Sequence, residues 1–131
     1  MEYLLDTTVC IQCLRHRRQV AARFLVVVPA NCAVSIVTLA ELYLGAQLSD
    51  DPPLAESLVD RFVAPLTILP VGPVVREFAR QKARLRRAGQ LIEDFDLLIG
   101  VTAVVHGLRL VTSNDRHLAR VEGVALEDWG R

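Results

Sequence analysis

Short strand-like runs alternate with helix-like segments along the whole chain, and this alternation constrains the fold more than any other feature. Apolar and β-branched residues make up four such runs, at 3–6, 33–35, 67–70 and 109–112, with a further run at 124–126. Parallel strands need a crossover connection, usually a helix, between each pair. We therefore expect an α/β fold with a central, mainly parallel sheet of four or five strands.

The segments between these strands carry apolar residues at helical spacing. Turn residues such as Pro29, Asp50 to Pro53 and Gly107 separate them. The predicted helices cover residues 7–14, 19–28, 38–50, 54–63, 73–89, 94–106 and 115–121. Because no linker or repeat interrupts this pattern, we expect residues 1–131 to form a single domain.

Composition excludes several classes of protein. The chain has 15 basic and 15 acidic residues, and 52% of its residues are hydrophobic, so intrinsic disorder is excluded as the default. A net charge of zero argues against a protein that coats phosphates through bulk positive charge. A mean hydropathy of +0.33 is high for a small soluble monomer, and we expect a partner to cover part of the apolar surface.

Neither a membrane span nor a secreted framework is expected. The longest apolar stretch, 24–40, is interrupted by Pro29 and Asn31, and the N-terminus lacks the basic start of a signal peptide. With three cysteines, an odd number, the chain fits a reducing compartment, and a cytoplasmic location is expected. Cys10 and Cys13 have redox-pair spacing and form a weak metal pattern with His16, but ordinary helix packing is the favoured interpretation.

Four acidic residues stand where the pattern calls for an apolar residue or a helix cap: Asp6, Glu41, Asp96 and Asp115. The carboxyl ends of parallel strands meet at one crevice, so several of these carboxylates are expected to share a pocket. Such a pocket suits Mg²⁺, with Mn²⁺ as a substitute, and phosphoryl chemistry. Taken singly, each acid is equally explained as a helix cap, a first-turn residue or a salt-bridge partner.

Four segments together match a known pattern, in order and at similar spacing. They are LLDTT at 4–8, SIVTLAEL at 35–42, IEDFDLLIGVTA at 92–103 and LVTSNDRHL at 110–118. Gly123, Val124, Asp128 and Trp129 extend the match to the C-terminus. The chain thereby resembles the PIN-domain ribonucleases and, among them, the VapC-type toxins of prokaryotic toxin-antitoxin pairs. The implied fold is a PIN-like three-layer α/β/α sandwich.

The resemblance implies a role for each matched residue. Asp6 and Asp96 become the principal Mg²⁺ ligands, and Glu41 completes the acidic cluster. Either Asp115, which we favour, or Asn114 fills the fourth position. The supporting residues are Thr7, Asp94, Ser113 and Asn114. His117 lies near this site, but no histidine is required.

The implied reaction is metal-assisted hydrolysis of an RNA phosphodiester, with in-line attack of water, departure of the 3′ oxygen and a 5′-phosphate product. The implied partners are a cognate VapB-type antitoxin and a second copy of the chain in a homodimer. Two alternatives stay open: a PIN nuclease for RNA processing without an antitoxin, and a catalytically silent PIN-like binding module. The intact acids Asp6, Glu41 and Asp96 argue against the silent module.

Two groups of arginines are candidates for RNA contacts. Arg76, Arg80, Arg84 and Arg87 follow helical spacing and form one basic stripe, which we interpret either as an RNA-phosphate contact or as a solvated face. Arg15, Arg17 and Arg18 form a second group, suited to RNA or to an acidic tail of a partner.

Overall fold

A computed structural model describes residues 1–130. The strands are β1 (Tyr3–Leu5), β2 (Cys32–Ser35), β3 (Thr67–Leu69), β4 (Arg109–Val111) and β5 (Ala125–Glu127). The helices are α1 (Thr7–Leu14), α2 (Arg18–Val27), α3 (Ile36–Gln47), α4 (Pro52–Val63), α5 (Val75–Arg87), α6 (Asp94–His106) and α7 (Asp115–Leu118). Short 3-10 turns at Pro29–Asn31 and Gly72–Val74 precede β2 and α5.

The five strands form one sheet in the order β3-β2-β1-β4-β5, and every neighbouring pair is parallel. The central strand β1 pairs on both sides, with Leu4 opposite Ala33 of β2 and opposite Leu110 of β4. From β1 the chain turns first towards β2 and β3, and later returns to the other side to form β4. In open parallel sheets, the point where the strand order reverses leaves a crevice at the carboxyl ends of the strands.

Side-chain alternation along the strands divides the core between the two faces of the sheet. Tyr3 and Leu5 pack in a cluster that also contains residues of α1, α2 and α4, whereas Leu4 packs in a second cluster with residues of α5 and α6. All three side chains are buried, as expected for a strand covered on both faces. The α/β fold with a parallel sheet between helical layers is confirmed.

The predicted elements are all present, with differences at some ends. α3 begins at Ile36 rather than at residue 38, because the Ser35 hydroxyl accepts a hydrogen bond from the Val37 amide at 3.1 Å and caps the helix. The regular part of α5 begins at Val75, after a 3-10 turn that contains Pro73. α7 ends at Leu118, three residues before the predicted end.

The three cysteines are free and buried. Burial raises the pKa of Cys13 to about 11, and burial and Cys13 raise that of Cys32 to about 12. Both thiols are therefore protonated and unreactive at neutral pH, which favours the packing interpretation of Cys10 and Cys13. Within residues 1–130, no helix is long and apolar enough to cross a membrane.

Helix α6 packs closely against the segment that follows α7. A Cβ atom at Gly100 would lie 2.8 Å from Cγ2 of the buried Val121. We expect Gly100→Ala to lower the free energy of unfolding by about 1–3 kcal/mol, because the site is already filled. Gly45 of α3 has no heavy atom within 4 Å of its hypothetical Cβ, so Gly45→Ala should stabilise the protein by up to about 1 kcal/mol. Urea unfolding measures the free energy of unfolding of both variants. Equal changes in the two variants would contradict the close packing of Gly100 against Val121.

Candidate active site

Asp6 lies at the centre of the crevice, directly after β1 and before α1. It is the N-cap of α1, and its Oδ1 accepts a hydrogen bond from the Val9 amide at 2.8 Å. The residue is only 6% exposed. The local sequence thus places a carboxylate in a buried position, where the positive end of a helix dipole partly compensates its charge.

Burial is the main cause that raises the pKa of Asp6 from 3.8 to about 6. Hydrogen bonds from the Thr112 side chain and the Val9 amide lower this pKa, while Asp96 and Glu41 raise it. The last two effects indicate that Asp96 and Glu41 lie close enough to Asp6 to repel its carboxylate. A bound cation would relieve that repulsion.

A hydroxyl pair on two helices positions Glu41. Thr7 of α1 donates a hydrogen bond to Oε1 of Glu41 at 2.5 Å, and its oxygen lies 3.2 Å from the hydroxyl oxygen of the buried Thr38. Thr7 was predicted from the sequence as a supporting residue, whereas Thr38 was not. The signal was present, because Thr38 lies three residues before Glu41 and therefore on the same face of α3.

Asp96 lies in the first turn of α6, at the side of the crevice opposite α3. An open cleft of about 450 Å³ is lined by Glu41, Glu93, Asp94, Phe95 and Asp96. Burial, followed by the nearby Glu93, raises the pKa of Asp96, whereas His117 lowers it. A second cleft of about 500 Å³ reaches from Asp96 to His117. Glu93 and Phe95 also line this first cleft, and neither was predicted from the sequence as a site residue.

The other predicted supporting residues surround this cleft. Asp94 forms an ion pair of 2.7 Å with Lys82 of α5, which holds its carboxylate towards that helix. In the loop after β4, the Asn114 amide donates to the Thr112 hydroxyl at 2.9 Å, and Asn114 Oδ1 lies 3.2 Å from Nδ1 of His117.

Ser113 is exposed in this loop, and the half-buried Asp115 begins α7. The loop therefore brings Asn114 beside a histidine that shares a cleft with Asp96. The choice between Asn114 and Asp115 for the fourth position stays a prediction.

The carboxylates fit a hard divalent cation. Among residues 1–130, no three His, Cys, Asp or Glu side chains are arranged to hold a metal ion by themselves. Mg²⁺ does not need such a cage, because it binds through one or two carboxylates and retains several waters. Asp6 and Asp96, whose pKa values are both raised by burial, would provide the oxygen ligands that Mg²⁺ or Mn²⁺ prefers.

The arginine stripe on α5 is partly engaged within the protein. Arg80 donates to both oxygens of Glu77, at 2.8 and 2.7 Å, and to Glu122 at 3.0 Å. Arg84 donates to the Arg120 carbonyl at 2.7 Å. The two ends of the stripe, Arg76 and Arg87, are exposed. The inner arginines therefore have a structural explanation, and phosphate binding by the stripe stays a prediction.

Comparisons with known proteins agree with this geometry. Residues 3–124 match the PIN domain family. Ribonuclease VapC2 of Haemophilus influenzae is 35% identical over 131 residues, covering 98% of both chains, and a tRNA(fMet)-specific endonuclease VapC of Shigella flexneri is 33% identical over the same share. The structure resembles the crystal structure of DNA-bound VapBC from Salmonella typhimurium, with a TM-score of 0.92, 29% identity and 98% coverage of both chains.

The fold is that of a PIN domain. The sequence relationships go further, since they extend over nearly the full length of each relative. The chain belongs to the PIN-domain family and, within it, to the VapC ribonucleases.

Removing the Asp6 charge should stabilise the metal-free protein. A carboxyl whose folded pKa is raised favours folding below its unfolded pKa, and this contribution is lost as pH rises from 3.8 through about 6. At pH 8 the loss corresponds to at most about 3 kcal/mol. We therefore expect Asp6→Asn to be more stable than the wild type in EDTA at pH 8, by urea unfolding.

Adding Mg²⁺ should reverse this order, because an ion that binds only the folded state stabilises it. The wild type should gain stability with Mg²⁺ concentration, and Asp6→Asn should gain little. The exposed Asp50→Asn is the matched control and should behave as the wild type. Equal Mg²⁺ stabilisation of all three proteins would show that Asp6 is no ligand.

Proposed function

We propose that the chain is a metal-dependent endoribonuclease that acts as the toxin of a toxin-antitoxin pair. One observation carries the proposal: a buried aspartate at the carboxyl end of the central strand repels two further carboxylates in an open crevice. Such a site is unfavourable without a cation, and a cation held there suits the hydrolysis of a phosphodiester. The similarity to ribonuclease VapC2 supports RNA as the substrate.

In the reaction, a water oxygen forms a bond to phosphorus and the bond from phosphorus to the 3′ oxygen breaks. The attacking water gives up one proton and the leaving 3′ oxygen takes up one, so that the products are a 5′-phosphate and a 3′-hydroxyl. A bound Mg²⁺ would supply activation of the water and stabilisation of the developing negative charge. Asp6 and Asp96 would hold it, and Glu41, fixed by Thr7, would orient the water. In this scheme Asp115 or Asn114 would complete the site from the side of α7.

The RNA target is best sought among transfer RNAs. Two relatives, from Shigella flexneri at 33% identity and Salmonella typhimurium at 30%, are tRNA(fMet)-specific endonucleases. We propose initiator tRNA as the first substrate to test. A transfer RNA substrate and an antitoxin partner support the proposal that the protein acts in the cytoplasm.

Cleavage of initiator tRNA should need the acidic crevice. We expect Asp96→Asn and Glu41→Gln each to lower the rate at least a hundredfold in Mg²⁺, because each removes a charge that holds the ion or orients the water. Asp50→Asn should cleave as the wild type does. Gel analysis of end-labelled tRNA with 5′-phosphate detection measures the rate and the product.

Growth of cells that express the same variants distinguishes a toxin from an RNA-processing nuclease and from a silent binding module. The wild type should arrest growth, and Asp96→Asn and Glu41→Gln should not. Cleavage without growth arrest would favour an RNA-processing nuclease. Tight RNA binding without any cleavage by the wild type would favour a silent binding module.

An apolar groove suits the antitoxin. It has a volume of about 240 Å³, is formed by α1, α3 and α4, and reaches Glu41 at one end. Its apolar lining is Ile11, Leu14, Leu42, Ala46, Ala55, Leu58 and Val59. We propose that an amphipathic segment of a VapB-type antitoxin lies here and directs a basic side chain towards the crevice. The similarity to a VapBC complex of Salmonella typhimurium supports this partner.

A charge in the groove should release the antitoxin without impairing catalysis. Leu58 is 46% exposed, so Leu58→Arg can place its side chain in solvent in the free toxin. We expect at least a hundredfold weaker binding of the cognate antitoxin by calorimetry, with unchanged tRNA cleavage, because the variant places an unpaired charge against an apolar segment. Leu25→Arg, on the exposed face of α2, is the control. Equal affinities in both variants would place the antitoxin elsewhere.

A further exposed apolar surface suits contact with a second copy of the chain. Ile36 and Leu44 of α3 and Leu48, which directly follows α3, are 41%, 58% and 79% exposed. We propose that this surface, defined as the α3 outer face, forms the homodimer.

A further inference from the structure

Three arginines crowd the turn between α1 and α2, beside an open pocket of about 630 Å³. Arg15, Arg17 and Arg18 line the pocket together with Thr8, Gln12, Gln19 and a few further residues of the two helices and Gly130. No carboxylate side chain is among the described lining residues, and these arginines form no ion pair within residues 1–130. The lining of the pocket, as far as residues 1–130 form it, therefore carries positive charge only.

The backbone adds to this positive region. α2, a helix of ten residues, begins at Arg18, and the Arg17 side chain that precedes it makes no capping hydrogen bond. Its first turn contains no acidic residue. The first residues of the helix, Arg18, Gln19 and Val20, all line the pocket. Unpaired amide groups and the positive end of the helix dipole thus favour an anion at the same place as the guanidinium groups.

The pocket lies next to the active site. Thr8, which lines it, follows Thr7, the residue that holds Glu41, and both belong to the first turn of α1. From Thr8 the pocket extends along α1 to Arg15, about 11 Å at the helical rise. A polymer whose scissile phosphate lies at Asp6 can therefore place neighbouring phosphates here.

We propose that this pocket binds the phosphodiester backbone of the RNA substrate, a few nucleotides from the cleaved bond. The inference rests on the proposed RNA cleavage and adds the site that supplies affinity. Guanidinium groups bind phosphate oxygens in pairs, and the hydroxyl and amide groups of Thr8, Gln12 and Gln19 suit sugar and phosphate oxygens. Repulsion from the acidic crevice makes such a region necessary in a chain with no net charge.

RNA fits this pocket better than an acidic peptide does. A peptide partner usually needs apolar anchors in a well-packed depression, whereas Ile11 and Val20 are the large aliphatic residues among the described lining. The apolar groove that we assign to the antitoxin adjoins this pocket along α1, and Ile11 and Arg15 line both. Arg15 lines both depressions, so a test of the RNA pocket must leave Arg15 unchanged.

The test measures RNA binding without cleavage. All proteins carry Asp6→Asn, so that RNA is bound but not cleaved. The test variant adds Arg17→Gln and Arg18→Gln. The control variant adds Arg61→Gln and Arg86→Gln, which change the charge equally at two exposed arginines on other helices. Fluorescence anisotropy with a short labelled single-stranded RNA gives Kd over a range of salt concentrations. We expect the first pair to raise Kd about tenfold or more. The slope of log K against log salt should fall in magnitude by about 1.4 for two lost contacts on a single strand.

Three results would overturn the assignment. An equal rise of Kd in both double variants would show an effect of overall charge. If the Arg17 and Arg18 variant lost binding of a labelled poly-glutamate peptide but retained RNA affinity, the pocket would be a peptide site. If the protein with Arg17, Arg18, Arg61 and Arg86 unchanged bound no RNA, both the proposed nuclease function and this pocket would be overturned. This result differs from the other two, in which that protein binds RNA.

Discussion

Asp6 lies where the central strand of a parallel sheet ends and the first helix begins, and it is buried there beside charges of its own sign. Strands on both sides of β1 and helices on both faces of the sheet fix this position, so the carboxylate cannot move into water without disrupting the fold. The hydrogen bond that Asp6 accepts from the Val9 amide offsets only part of the cost of burying the carboxylate. A divalent cation bound beside Asp6 would offset the rest, and this would link the fold to the proposed metal-assisted hydrolysis of RNA.

The neutral composition conceals a separation of charge and of apolar surface. Glu41 and Asp96 share the crevice, while the inner arginines of α5 are neutralised by Glu77 and Glu122. The arginines at the turn between α1 and α2 form no ion pair within residues 1–130. The high hydropathy corresponds to two separate surfaces, the groove of α1, α3 and α4 and the α3 outer face. We therefore propose different regions of one chain for metal, RNA, antitoxin and a second copy.

Local signals explain why much of the fold and of the acidic site was predictable from the sequence. Prolines, glycines and capping residues mark most helix ends, and parallel strands buried on both faces leave continuous apolar runs such as that of β1. Asp6, Glu41 and Asp96 were recognisable because each interrupts an apolar pattern. Thr112 was not, since a threonine at a strand end is compatible with packing alone, and Thr38 was indicated only by its spacing from Glu41. The pairs Lys82 with Asp94 and Arg80 with Glu122 join elements distant in the sequence, and helical spacing carries no information about them.

The central claim is that Asp6 is a buried carboxylate whose charge requires a cation, and its own titration tests this most directly. Carbon-detected NMR of the protein labelled at the aspartate carboxyl carbons follows Asp6 through pH in EDTA and in saturating Mg²⁺. The account predicts a pKa of about 6 without metal and a value below the ordinary 3.8 with it. An ordinary pKa in EDTA, or a raised pKa that Mg²⁺ leaves unchanged, would contradict the account.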